Sequence, residues 1–393
     1  MREGRCETLG AHSRLQRIPG GTGAYSESEG AGVCREAVAR FVARRDGAPC
    51  DPEDVFMTDG ASPGVHYLMK ALLRDARDCV LTPIPQYPLY SATITLYGGT
   101  LLPYFLDEAD GWALDTAALG AAVAAARSRG DAVRALCVIN PGNPTGQCLS
   151  RRNQEEVVRL CADEGIVLLA DEVYQDNVYA EGKRFTSFKR VAAEMGLLGQ
   201  LPLVSFNSIS KGAVGECGRR GGYFEITGVD SGVRDALLKL ASINLCPNLS
   251  GQICMALVCD PPVAGEPSFA RYDAERSAIL ASLRRRAGTI TVALNALEGV
   301  ICNAAEGAMY VFPRLSLPPK AHAAALAAGR LPDLFYCWRL LDATGICVVP
   351  GSGFGQAAGT WHFRTTFLPP EEQMEEVCAA ITTFHKQFMD EFR

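Results

Sequence analysis

Histidine is scarce in this chain, with five scattered residues among 393. That argues against a zinc site, which needs several nitrogen or thiolate ligands brought together. Cysteine is plentiful at fifteen, yet no two form a Cys-x-x-Cys pair, so the usual metal and dithiol patterns are missing. An odd number of thiols in so long a chain fits reduced, mostly buried cysteines in a reducing compartment. There is no basic block and the net charge is −6, so a nucleic-acid partner has no electrostatic footprint. No apolar stretch reaches membrane-spanning length; the longest weakly polar run is the alanine-rich segment 117–126. The N-terminus, MREGRCETLGAHSRLQRIPGG, lacks an apolar signal core. Its basic character leaves a mitochondrial transit-type remnant as the alternative to a cytoplasmic protein.

What is present describes a globular chain with a large core. Hydrophobic residues make up 48% and charged ones 21%, and the length suits two domains. Residues 1–24 are glycine-rich and aperiodic, and loose order is expected there. Short apolar runs then alternate with helical stretches: VFMT (55–58), CVLTP (79–83), TLLPYF (100–105), ALCVIN (135–140), IVLLADE (166–172) and LVSFN (203–207). Several are apolar throughout, as strands covered on both faces of a parallel sheet are. The expected fold class is therefore α/β, with helices on both sides of a mostly parallel sheet. A charged helical stretch at 268–297 leads to a smaller α+β unit. Strands are expected there within 307–315, 346–351 and 361–368, and helices at about 333–343 and 370–391. The expected division is 1–22, 23–280 and 281–393.

The chemistry centres on VSFNSISKGAVGECGRRGG (204–222). Lys211 follows a strand, flanked by hydroxyls and glycines, with Arg219 and Arg220 beyond. An amine so placed can form a Schiff base with a carbonyl cofactor, while Ser208 and Arg220 hold a phosphate. The same Ser-x-Ser-Lys-Gly pattern also occurs in ordinary surface turns. Asp171 ends an apolar strand, where α/β proteins bind ligands, and can keep a pyridine nitrogen protonated. Tyr174 can reach the ring's phenolic oxygen. A helix cap or surface acid is the plainer alternative for Asp171. In INPGNPTG (139–146), prolines and glycines stiffen a turn around Asn143. TDGAS (58–62) opens a helix and can offer the N–H groups of Ala61 and Ser62 to an anion. Tyr87, in PIPQYPLYS, can stack on a flat ring or be an ordinary aromatic. Arg364, in WHFRTTFL, needs an anion: a substrate carboxylate, or a structural partner. The glycine string PGSGFG (350–355) follows a short strand without a clear helix and is discounted as a nucleotide site.

Together these residues resemble the fold-type-I pyridoxal-phosphate aminotransferases. The phrases PIPQYPLYSA, INPGNPTGQ, LLADEVYQDNVY and GICVVPGSGFGQ are similar to the alanine and glutamate–glyoxylate aminotransferase group within them. The resemblance runs from about Gly23 to the C-terminus. It implies a large domain built on a mostly parallel sheet and a smaller C-terminal domain. It implies pyridoxal 5′-phosphate bound to Lys211, which also moves the substrate's α-proton. Asp171 would pair with the pyridine nitrogen, Tyr174 and Asn143 would contact the ring oxygen, and Tyr87 would stack on the ring. Ala61, Ser62, Ser208 and Arg220 would hold the phosphate, and Arg364 with Asn143 the substrate carboxylate. The substrates implied are L-alanine and 2-oxoglutarate. Glyoxylate as acceptor, or an inactive protein of the same fold, are the alternatives. Tyr25 matches a tyrosine that reaches the phosphate of a neighbouring subunit, which implies a homodimer with shared sites. Neither nucleic acid, membrane nor metal is implied as a partner. Two departures stand out. Only 24 residues precede Tyr25, where the family has several dozen more, so either the sequence is truncated there or the arm is lost and closure is impaired. Asn207 and Arg219 replace the family's usual histidine and tyrosine, and Arg219 is expected to add a second cation beside the phosphate.

Overall fold

The computed structural model describes residues 16–18 and 20–393. Most of the segment expected to be loosely ordered, residues 1–15 and Pro19, lies outside them. The apolar runs form strands where their composition places them: β1 (Val55–Thr58), β2 (Asp78–Ile84), β3 (Thr100–Asp107), β5 (Ala132–Ile139), β6 (Val167–Asp171) and β7 (Leu203–Ser208). Two more strands, β4 (Ala113–Leu114) and β8 (Gly222–Thr227), complete a sheet of order β1-β8-β7-β6-β5-β2-β3-β4. Strands β3, β2, β5, β6 and β7 are parallel neighbours. β8 runs antiparallel between β7 and β1. Its lead-in, GRRGG, carries no apolar alternation, which hid it from periodicity.

Side chains alternate between two covered faces. Leu168 and Leu203 join Val157, Phe188 and Val191 on one side. Leu169, Phe206 and Phe224 join Val65, Leu68 and Tyr90 on the other. Gly64 brings the helix Ala61–Leu72 close to the sheet, for a Cβ there would stand 2.8 Å from the Phe224 ring.

A second sheet has the order β10 (Tyr310–Val311), β13 (Phe363–Thr366), β12 (Val349–Pro350), and β9 (Val300–Ile301) pairs with β11 (Arg314–Leu315). The single strand expected over 307–315 is thus two short ones. Pro313 lies between them and has no N–H to continue a ladder. The helices Phe269–Asn295, Pro332–Thr344 and Met374–Phe392 pack on this part and share a core with Val311, Leu340, Phe363 and Phe384. Among the described residues no helix is long and apolar enough to cross a membrane.

Candidate active site

Strands β5, β6 and β7 end on one edge of the large sheet, where an open α/β sheet forms its binding crevice. The segments after them carry Asn143, Asp171 with Tyr174, and Ser208 with Lys211. With the start of the helix Ala61–Leu72 and residues of the second sheet, they line a cavity of about 340 Å³. Every expected site residue but Tyr25 lines it: Ala61, Ser62, Tyr87, Asn143, Asp171, Tyr174, Ser208, Lys211, Arg220 and Arg364. Tyr25 stands elsewhere, with 76% of its surface exposed.

Asp171 is buried in the cavity wall. The Tyr90 hydroxyl donates to its Oδ2 at 2.9 Å, and the Val173 N–H to Oδ1 at 3.4 Å. Burial raises its pKa against the pull of these hydrogen bonds and of the Lys211 charge. Such a carboxylate is stabilised by any cationic group entering the cavity.

At another wall, Gly60 precedes the helix Ala61–Leu72 with φ +80°, and no side chain caps the first turn. The N–H groups of that turn have no partners within the helix, which makes its start an anion site. Arg220 closes over it in a left-handed conformation, φ 53°. Its guanidinium donates to the carbonyls of Asp59 at 2.7 Å and Cys217 at 3.0 Å, and to Ser210 Oγ at 3.4 Å. The φ of +80° favours glycine at position 60, and a Cβ there would stand 2.3 Å from the Arg220 guanidinium. Asn207, at the end of β7, accepts the N–H of its neighbour Ser208 at 2.7 Å. Arg219 does not line the cavity. It is exposed and bonds Glu216 at 2.9 Å, so the expected second cation is spent on the acid three residues back.

Lys211 donates from Nζ to the Tyr310 hydroxyl at 3.2 Å. Arg364, on β13, donates to Asn143 Oδ1 at 3.1 Å and lies between the rings of Tyr310 (4.4 Å) and Phe354 (4.7 Å). Its Nε is buried without a hydrogen-bond partner, as in a guanidinium waiting for a bidentate anion. Tyr90 and Tyr310 are site residues that sequence reasoning passed over. Tyr90 is a residue of the helix Leu89–Leu96, and nothing local to it points to the cavity. Tyr310 reads as an ordinary strand aromatic.

Residues 9–381 match the family model of aminotransferase class I and II. Mitochondrial alanine aminotransferase 1 of Arabidopsis thaliana is 59% identical over 381 residues, covering 96% of this chain and 70% of that protein. Glutamate–glyoxylate aminotransferase 2 of the same plant is 52% identical, covering 96% and 79%. Alanine aminotransferase 1 of Homo sapiens is 50% identical, covering 94% and 76%. Among solved structures, the alanine aminotransferase from Pyrococcus furiosus superposes with a TM-score of 0.79 at 28% identity, covering 97% of this chain and 88% of that one.

Proposed function

The chain belongs to the class I and II aminotransferases, and from that premise we propose that it moves the amino group of L-alanine to 2-oxoglutarate, with pyridoxal 5′-phosphate carried on Lys211. The observation that carries this reading is the convergence of an amine, a buried carboxylate, an anion cradle and a half-satisfied guanidinium on one cavity. Those four features fit the cofactor's aldehyde, pyridine nitrogen and phosphate, and a substrate carboxylate. When bound, the cofactor supplies an electron sink for the charge left after α-proton removal.

The chain's own residues do the rest. Asp171, steadied by Tyr90, keeps a proton on the pyridine nitrogen. Tyr174 and Asn143 contact the ring oxygen, and Tyr87 covers the ring. Ala61, Ser62, Ser208 and Arg220 hold the phosphate. Arg364 and Asn143 fix the α-carboxylate, which aligns the breaking C–H bond with the Lys211 amine. Lys211 takes the α-proton as general base and returns it on the other side of the reaction.

Tyr25, exposed in the single chain, is assigned to the phosphate of a second copy in a homodimer. A division near residue 280 fits the separate apolar core formed by residues such as Leu283, Val311 and Phe384. None of the fourteen cysteines among the described residues is disulfide-bonded, which suits a reducing compartment such as the cytoplasm. Glyoxylate is the second acceptor to test, given the similarity to the plant glutamate–glyoxylate enzyme. Comparing acceptor rates with glyoxylate and 2-oxoglutarate separates the two.

The Lys211→Ala variant is expected to lose turnover and the visible absorbance that the wild type gains with pyridoxal phosphate. Borohydride should fix the cofactor to Lys211. An undiminished rate in the variant would sink the assignment.

A further inference from the structure

Arginine donates hydrogen bonds and never accepts them, and that one-sidedness orders a row of protons across the cavity. Arg364 donates to Asn143 Oδ1 at 3.1 Å, which fixes the orientation of that amide. The Asn143 NH2 group then faces Tyr174 and donates to its hydroxyl at 3.2 Å. With its oxygen accepting from Asn143, Tyr174 sends its own proton to the Tyr310 oxygen, also at 3.2 Å. From the far side, Lys211 Nζ donates to the same oxygen at 3.2 Å. Two donors converge on one phenol oxygen, and both rings are buried. A neutral Tyr310 has to turn its own proton away from both of these donors. A phenolate has no such conflict.

The electrostatics agree with the geometry. Burial favours the neutral form of Tyr310, but the Lys211 charge, the hydrogen bonds from Tyr174 and Lys211, and the Arg364 guanidinium outweigh it, so its pKa falls below the ordinary 10. Tyr174 goes the other way: burial, Tyr310 and Asp171 push it well up, and Arg364 offsets them only in part. Of the two phenols, Tyr310 is the one that ionises.

We propose that Tyr310 is a catalytic residue that takes the proton of the Lys211 ammonium. The Nζ–H bond breaks, the Oη–H bond forms, and ammonium and phenolate become amine and phenol. The ammonium–phenolate pair is the resting form, and the transfer makes Lys211 a neutral amine, able to act as a base, for as long as Tyr310 holds the proton. The reverse transfer recharges it. This inference rests on the assignment of Lys211 as the base.

Tyr310→Phe removes only the oxygen and keeps the ring on which Arg364 lies. The first readout needs no cofactor. With rising pH, ultraviolet absorbance of the full wild-type chain should show one of its twelve tyrosines ionising ahead of the rest. That early step should vanish in Tyr310→Phe and move to higher pH in Tyr174→Phe, which leaves Tyr310 in place. The second readout is kinetic. In the cofactor-loaded Tyr310→Phe enzyme, kcat for alanine should fall about a hundredfold, with KM little changed and the acidic limb of the pH profile moved to higher pH. Persistence of the early ionisation in Tyr310→Phe, or a wild-type kcat and pH profile, overturns the proposal. If the wild type neither gains visible absorbance with pyridoxal phosphate nor turns over alanine, the Lys211 reading has failed. The ultraviolet step then decides on Tyr310 alone: its presence supports the ionised phenol and its absence overturns it.

Discussion

Asp171 and Glu172 are adjacent in sequence and buried at the same strand end, yet they face opposite sides of the sheet and meet different fates. Asp171 faces the cavity, held by Tyr90 and the Val173 N–H. Glu172 faces the packed side. Its Oε1 accepts the Phe188 N–H at 2.8 Å, while its Oε2 has no hydrogen-bond partner. The nearest cation, Arg45, stands 3.8 Å away and forks instead onto Asp46 at 2.6 and 2.7 Å. Burial, opposed by Arg45 and reinforced by Asp46, pushes the Glu172 pKa up to about 8. On the same side, Lys189 and Glu225 form a fully buried ion pair. The packed side thus settles its charges internally, by pairing or by protonation. The cavity side leaves a carboxylate at one wall and a guanidinium at another for a ligand to satisfy.

Replacing Asp171 by Asn should have the largest effect on this contrast. Loss of a buried charge partner is worth about 3–5 kcal/mol, so kcat should fall roughly a thousandfold while the melting temperature holds or rises. A kcat within tenfold of wild type would mean the two faces do not differ as described. Lys189→Met should do the reverse. It strands Glu225 in the interior, so denaturant unfolding should show a loss of about 3–5 kcal/mol, with the rate per folded molecule unchanged.

The smallest effect is expected for Glu172→Gln. With a folded-state pKa raised from 4.5 to about 8, the native wild type keeps a proton that the unfolded chain releases. The stabilising contribution is therefore complete below about pH 4.5 and lost as the pH rises through 8. The variant lacks that slope, so its melting temperature should exceed the wild type's by a few degrees at pH 8. Parallel curves for the two proteins would show that Glu172 is ionised in the fold.

Lys211, Asp171, Asn143 and Arg364 were legible in the sequence because each sits at or beside a strip of apolar strand, where a polar group needs a reason to be. The two tyrosines that complete the site were not. Tyr90 is a helix residue whose partner lies 81 positions away, and Tyr310 meets Lys211 across 99. No local pattern reports such separations. Strand β8 escaped for the opposite reason: its glycine-rich approach is local, but its place between β7 and β1 is set by tertiary pairing. Arg219 and Arg220 were indistinguishable as sequence. The backbone separates them, since the left-handed turn at Arg220 aims one side chain inward and Glu216 holds the other outside.

The row of donors from Arg364 to Tyr310 has a consequence for when chemistry is available. Arg364 and Tyr310 sit on neighbouring strands of the small sheet, whereas Asn143, Tyr174 and Lys211 belong to the exits of the large one. The row therefore crosses the junction three times, at 3.1, 3.2 and 3.2 Å. Hydrogen bonds fade within a few tenths of an ångström beyond such lengths. A sub-ångström slide of one sheet against the other is enough to uncouple the amine from its proton acceptor and the guanidinium from its amide together, so the enzyme's reactive state exists at a single mutual setting of its two halves.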